Sequence, residues 1–163
     1  LYTKNKKAQN AGDTYKLKIK LTNGGVNDYY KMGRAYFDAK NWTEADSAFA
    51  KVNRMSVDFE PAYLFRARVY SNLDPDTKEG LAKPFYEKLL EKANLDATKY
   101  SKDILEAYNY LGYYYLVNKN YCESISYWDK IVTLDPTNEN AASALKDLKP
   151  RCPEFKSANQ KPQ

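Results

Sequence analysis

Histidine is absent from the 163 residues. With it go the Ser-His-Asp and Cys-His catalytic arrangements, histidine zinc clusters and imidazole proton relays. Cysteine occurs twice, at Cys122 and Cys152, too few for a disulfide-dense mini-protein and without CxxC spacing. No apolar run is long. The stretch from Tyr113 to Val117 falls far short of the roughly 18 residues that a membrane-spanning helix needs, so no membrane insertion is expected. Glycine-rich phosphate loops and nucleophile elbows are missing as well, and no cofactor is expected. What remains, 43% apolar and 29% charged residues, is the composition of a folded chain, with a length that suits one domain better than two.

The net charge of +5 hints at nucleic acid until it is divided along the chain. Lys4, Lys6, Lys7, Lys16, Lys18 and Lys20 face a single acid, Asp13, within residues 1–25, a balance of +5. The other 138 residues hold 20 basic and 20 acidic groups, leaving no net excess for a phosphate-tracking stripe. Nucleic-acid binding is therefore not expected, and the lysines read as a solvated helix face. The chain begins at Leu1, without methionine or a signal-peptide pattern, and is expected to be processed or excerpted from something longer.

Internal repetition is the strongest positive signal. Tyr29-x-x-Met32-Gly33-x-x-Tyr36, followed by Ala45-x-x-x-Phe49, matches Tyr108-x-x-Leu111-Gly112-x-x-Tyr115, followed by Ser124-x-x-x-Trp128, at identical offsets. Between them Tyr63-x-x-Arg66-Ala67-x-x-Tyr70 lies 34 residues after the first copy, and Ala82-x-x-x-Tyr86 follows a short insertion. Each copy reads as a helix pair: aromatics seven apart share one stripe, and Gly33, Ala67 or Gly112 admits a neighbouring backbone. Asn41 with Glu44, and Asn120 with Glu123, have the spacing of a reciprocal helix cap. Asp135-Pro136 closes the last second helix.

These copies resemble the tetratricopeptide repeat (TPR), W-x2-L-G-x2-Y, then A-x3-F, then P at a 34-residue period. The third copy fits at nearly every slot; the first lacks the closing proline, and the second carries Arg66 at an apolar slot and a lengthened turn, Leu73 to Gly80. A further insertion runs through Ala93 to Ser101. The resemblance, of bacterial type, implies an all-α, right-handed superhelical array of antiparallel helix pairs with a C-terminal capping helix. Residues 1–150 are expected to form one domain: 1–25 a truncated repeat, 26–59, 60–104 and 105–138 repeats, and 139–150 the cap. The polar tail, 151–163, is expected to lack fixed structure. Tyr2, Ala11 and Tyr15 keep the repeat register, which favours helix for residues 15–21; the alternating Tyr15, Leu17, Ile19 and Leu21 leave a strand as the competing reading.

Ten of the sixteen tyrosines fill repeat slots that want a bulky core residue. By resemblance, Tyr30, Arg34, Leu64, Arg68, Asn109 and Tyr113 face the concave groove where such repeats hold a partner's peptide, against the competing reading of an ordinary solvated face. The lysine and asparagine clamp that some members close on a terminal carboxylate is not reproduced at these places, but two arginines favour an acidic protein or peptide. The implied function is a non-catalytic protein-interaction scaffold. The alternatives are a structural or self-association segment of a longer repeat protein and, less favoured, a metal-dependent hydrolase using carboxylates between Asp74 and Glu79. That segment faintly resembles a calcium loop, with its glycine misplaced and no terminal glutamate, so a helix-capping turn is preferred.

A disulfide between Cys122 and Cys152 is also expected from reach. The helix opened by Cys122 climbs roughly 18 Å, and the cap helix returns by roughly 15 Å. Two free thiols are the alternative. The bond would favour a periplasmic or other extracytoplasmic location.

Overall fold

A computed structural model describes residues 2–93 and 98–158, apart from the side chains of Tyr2 and 156–158. Residues 94–97 of the expected second insertion and 159–163 of the tail lie outside them. The described residues contain α-helices, one short 3-10 turn and no strand. They fall into two compact units, Leu1–Pro75 and Asp76–Gln163.

The first unit holds α1 (Tyr2–Thr22), α2 (Val26–Asp38), α3 (Trp42–Met55) and α4 (Glu60–Leu73), each packed on the next. Its core is Met32 and Tyr36 of α2, Ala45, Ala48, Phe49 and Val52 of α3, and Ala62, Phe65 and Val69 of α4. Gly33 explains the tight α2–α3 contact, because a Cβ there would lie 2.7 Å from the Phe49 ring. Asn41 caps α3 by accepting from the Glu44 N–H at 3.4 Å, and its own amide donates to Gln9 at 3.3 Å. The reciprocal half of the cap is not made, since the Asn41 N–H bonds Tyr36 O at 2.8 Å and Glu44 pairs with Lys16 at 3.1 Å.

Residues 15–21 are helical. Tyr2, Ala11 and Tyr15 share one unbroken helix, and it is Gly12, not Ala11, that is buried: a Cβ at Gly12 would come within 2.6 Å of the Tyr36 ring. The alternating pattern that suggested a strand has a simple origin. Tyr15 and Ile19 sit one turn apart against the first core, while Leu17 and Leu21 sit one turn apart in solvent.

The second unit holds α5 (Lys83–Ala93), α6 (Ser101–Val117), α7 (Tyr121–Leu134), α8 (Glu139–Leu148), a 3-10 turn (Lys149–Arg151) and α9 (Pro153–Ala158). Gly112 repeats the part played by Gly33, with the Trp128 ring 2.9 Å from where its Cβ would be. Ser124 is fully buried; its hydroxyl donates to Gly112 O at 2.8 Å and accepts from Trp128 Nε1 at 3.0 Å, so the polar atoms of this contact satisfy one another. Asn138 caps α8 by accepting from the Ala141 N–H at 3.0 Å. Asn120, by contrast, makes no side-chain cap to α7. It is exposed, with no counterpart of the Gln9 contact that holds Asn41 in place.

The expectation of an unstructured tail is corrected for its described part. Residues 153–158 form α9, and Phe155 packs on the core of Ile125, Trp128, Ile131, Ala141, Leu145, Leu148 and Cys152. One apolar ring and one half-cystine give this polar stretch enough buried surface to order it.

Tyr36, Tyr70, Tyr108 and Tyr127 hold their protons more tightly than a free phenol. Burial disfavours the phenolate in all four, and hydrogen bonds to Asp13 and Asp46 add to this at Tyr36 and Tyr70. A group whose folded pKa is raised contributes stability that is complete below the unfolded value, here 10.0, and is lost as pH rises past it. Denaturant midpoints should therefore hold level to about pH 9.5 and then fall, with the fall lessened in Tyr36→Phe. A level profile to about pH 11 would remove the burial argument.

Candidate functional site

Of the six residues expected to face a partner, four lie in the first unit and two in the second. In the first unit Tyr30 and Arg34 stand one turn apart on α2, and Leu64 and Arg68 one turn apart on α4. Phe65 brings three of these four together. Its ring centroid lies 4.5 Å from the Arg34 guanidinium carbon, 5.2 Å from that of Arg68 and 6.0 Å from the Tyr30 ring. Phe65 is itself buried, stacked on Phe49 at 5.2 Å and edge-on to Phe37 at 5.2 Å. Arg34 is exposed, Arg68 and Tyr30 are half-buried, and Tyr30 also meets Phe59 at 5.1 Å. Both guanidinium groups thus stand within cation–π distance of one ring.

Leu64 is corrected: at 6% exposure it offers a partner no surface. An aliphatic side chain gains nothing from water where tyrosine and asparagine, in the matching slots of the other copies, keep a polar tip there. Phe65 is a residue that the repeat signature does not name: the matching slot holds Lys31 in the first copy, and Tyr110 in the third is the one sign that a ring belongs there.

In the second unit Asn109 and Tyr113 are both exposed, one turn apart on α6, and Asn109 bonds its amide to Leu105 O at 2.8 Å. Beside them runs a half-buried row of rings, Tyr108 to Tyr127 at 6.0 Å and Tyr127 stacked on Tyr115 at 5.6 Å, with the Lys130 ammonium 4.6 Å from the Tyr127 centroid. These faces are already occupied by one another.

Cys122, in the first turn of α7, is bonded to Cys152, which follows the 3-10 turn; their Cα atoms are 5.1 Å apart. Among the described residues one group of three ligand-type side chains gathers within 4.8 Å, Cys122, Cys152 and Glu154, and its two sulfurs are joined to each other. Asp76 is exposed, 4.0 Å from Lys78, and Thr77 and Gly80 take positive φ, so the segment is built as a turn. No helix among the described residues is long and apolar enough to cross a membrane.

No protein-family model and no curated protein sequence matches the chain. Solved structures do. The C-terminal part of a TPR repeat-containing protein from Cytophaga hutchinsonii is similar at 34% identity and a TM-score of 0.73, over 88% of this chain and 61% of that one. This chain thus spans about three-fifths of that structure's length. The Arabidopsis OM64 TPR domain is similar at 18% identity and a TM-score of 0.58, over 78% of this chain and 96% of that one. MamA is similar at 17% identity and a TM-score of 0.66, over 88% and 81%. At these lower identities the likeness is one of fold. The glycine-spaced copies, the consecutive helix pairs and these neighbours agree: the chain is a TPR-like repeat protein.

Proposed function

We propose that the chain is a non-catalytic protein-interaction scaffold whose first unit receives an acidic segment of a partner protein at Arg34, Arg68 and Tyr30, with the buried Phe65 ring beneath the two guanidinium groups. The observation that carries the reading is the platform of two guanidinium groups over one buried ring. Arginines and aromatics are the residue types that concentrate binding energy, and a ring fixed by the core lowers the cost of holding both cations in place. Asn109 and Tyr113 are the corresponding contacts in the second unit. The bonded cysteines favour an extracytoplasmic setting for the scaffold.

The test uses a labelled, extended peptide with glutamates flanking a central leucine, and its glutamine counterpart. Wild-type protein should bind the acidic peptide in a salt-sensitive way, and Arg34→Ala with Arg68→Ala should weaken it at least tenfold. The double variant should melt only a few degrees lower, since each cation–π contact at a partly exposed site contributes about 0.5–1 kcal/mol. Equal binding of both peptides, or undiminished binding by the double variant, removes the assignment.

A further inference from the structure

The outer face of α1 is unaccounted for by the platform on α2 and α4. Ala8, Gly12, Tyr15 and Ile19 form the face of α1 turned to the first core, and they use up most of its apolar surface. On the opposite side Leu17 and Leu21 stand one turn apart at 58% and 74% exposure, among the most exposed large apolar side chains described. At about 100° per residue, Lys6 and Lys20 fall on one flank of this leucine step and Lys7 and Lys18 on the other. Lys18 is paired with Asp28 at 2.6 Å and Lys16 with Glu44 at 3.1 Å. Lys4, Lys6, Lys7 and Lys20 make no ion pair among the described residues. Asp13, the one acid on α1, is engaged by the Tyr36 hydroxyl at 2.9 Å.

We propose that this face docks an acidic amphipathic helix of a separate protein, with apolar residues laid on Leu17 and Leu21 and acids against the flanking lysines. The charge pattern selects the occupant. A second copy presenting its own α1 would set six lysines against six, with one acid on each side, and like charges across an interface oppose association. A membrane surface would need a broad apolar face, but Thr3, Asn10 and Thr14 complete this stripe, and the aromatic side of α1 is turned inward. Nucleic acid would use the lysines and leave both leucines in water. A partner helix with an apolar stripe and acidic flanks satisfies both features, over an α1 of 21 residues, about 30 Å long.

Two synthetic helical peptides of identical composition test this. One places leucines at i, i+4, i+7 and i+11 with glutamates on both flanks; the other scatters the same residues. The striped peptide should bind at least tenfold tighter than the scattered one and weaken with salt. Leu17→Ser with Leu21→Ser should reduce its binding tenfold or more while lowering the melting midpoint only slightly, because both side chains are mostly in water and the change costs little beyond helix propensity. Lys6→Glu with Lys7→Glu and Lys20→Glu should do the same and turn preference to a peptide with lysine flanks. Arg34→Ala with Arg68→Ala should leave it unchanged, which separates this surface from the platform. Equal binding of the two peptides overturns the proposal. So does capture of the protein by phosphatidylglycerol vesicles but not by the striped peptide, or a dimer in sedimentation that disappears in the leucine variant.

Discussion

Phe49→Ala should lower the unfolding free energy by about 3–5 kcal/mol, the cost of emptying a fully buried aromatic site that cannot collapse. Phe49 has no exposed surface and touches three other things at once: the bare backbone at Gly33, the Phe65 ring at 5.2 Å and the Tyr30 ring at 5.8 Å. Gly33, directly against the ring, has no side chain to move into the space. The chain contains two tryptophans, Trp42 in the first unit and Trp128 in the second. In a Trp128→Phe background the Trp42 emission, from a ring 5.3 Å from Phe37, therefore reports the loss directly. A midpoint change equivalent to less than about 1 kcal/mol would mean that the Gly33–Phe49 contact is not the centre of that core.

The second large effect is expected on reduction. Cutting the Cys122–Cys152 bond should cost about 3.5 kcal/mol in the chain-entropy account, since it closes a loop of 30 residues. The loss should be read by Trp128, which shares a core with Cys152, in a Trp42→Phe background. Reduction leaves the sequence intact, so the comparison is free of side-chain changes; Cys122→Ser with Cys152→Ala provides the reductant-free check. Two thiols titrating in the folded, unreduced protein, or identical denaturation curves with and without reductant, would contradict the bond.

Much of this architecture could be read from spacing alone, because the repeat encodes contacts as offsets. Gly33 to Phe49 and Gly112 to Trp128 are the same offset, and both are the same physical event, a ring set against a helix backbone. What escaped notice depended on neighbours that the offset does not specify. Asn41 and Asn120 both follow a lysine and precede a glutamate by three, yet of the two only Asn41 caps, with Gln9 holding its amide. The ordering of α9 rests on Phe155, one ring in a polar stretch whose composition argues the other way. The site was half legible. Arg34 and Arg68 follow from the register, but the ring that joins them stands where the first copy has a lysine. Leu64 shows the converse, a position whose place in the repeat suggested a surface that its own chemistry withdrew.

The double membership of Phe65 has a consequence for how such a surface can change over time. Most recognition residues can be exchanged one by one, because the fold is indifferent to them. Here the two arginines share their support with Phe49 and Phe37, so under the proposed function a variant at position 65 would lose the recognition surface and the packing beneath it together. A survey of single substitutions scored by partner capture would rank Phe65 among the strongest recognition residues, and a survey scored by protein abundance would rank it equally high. Drift toward a new partner would then be channelled through the arginines, which can be replaced, reversed or removed while the ring stays.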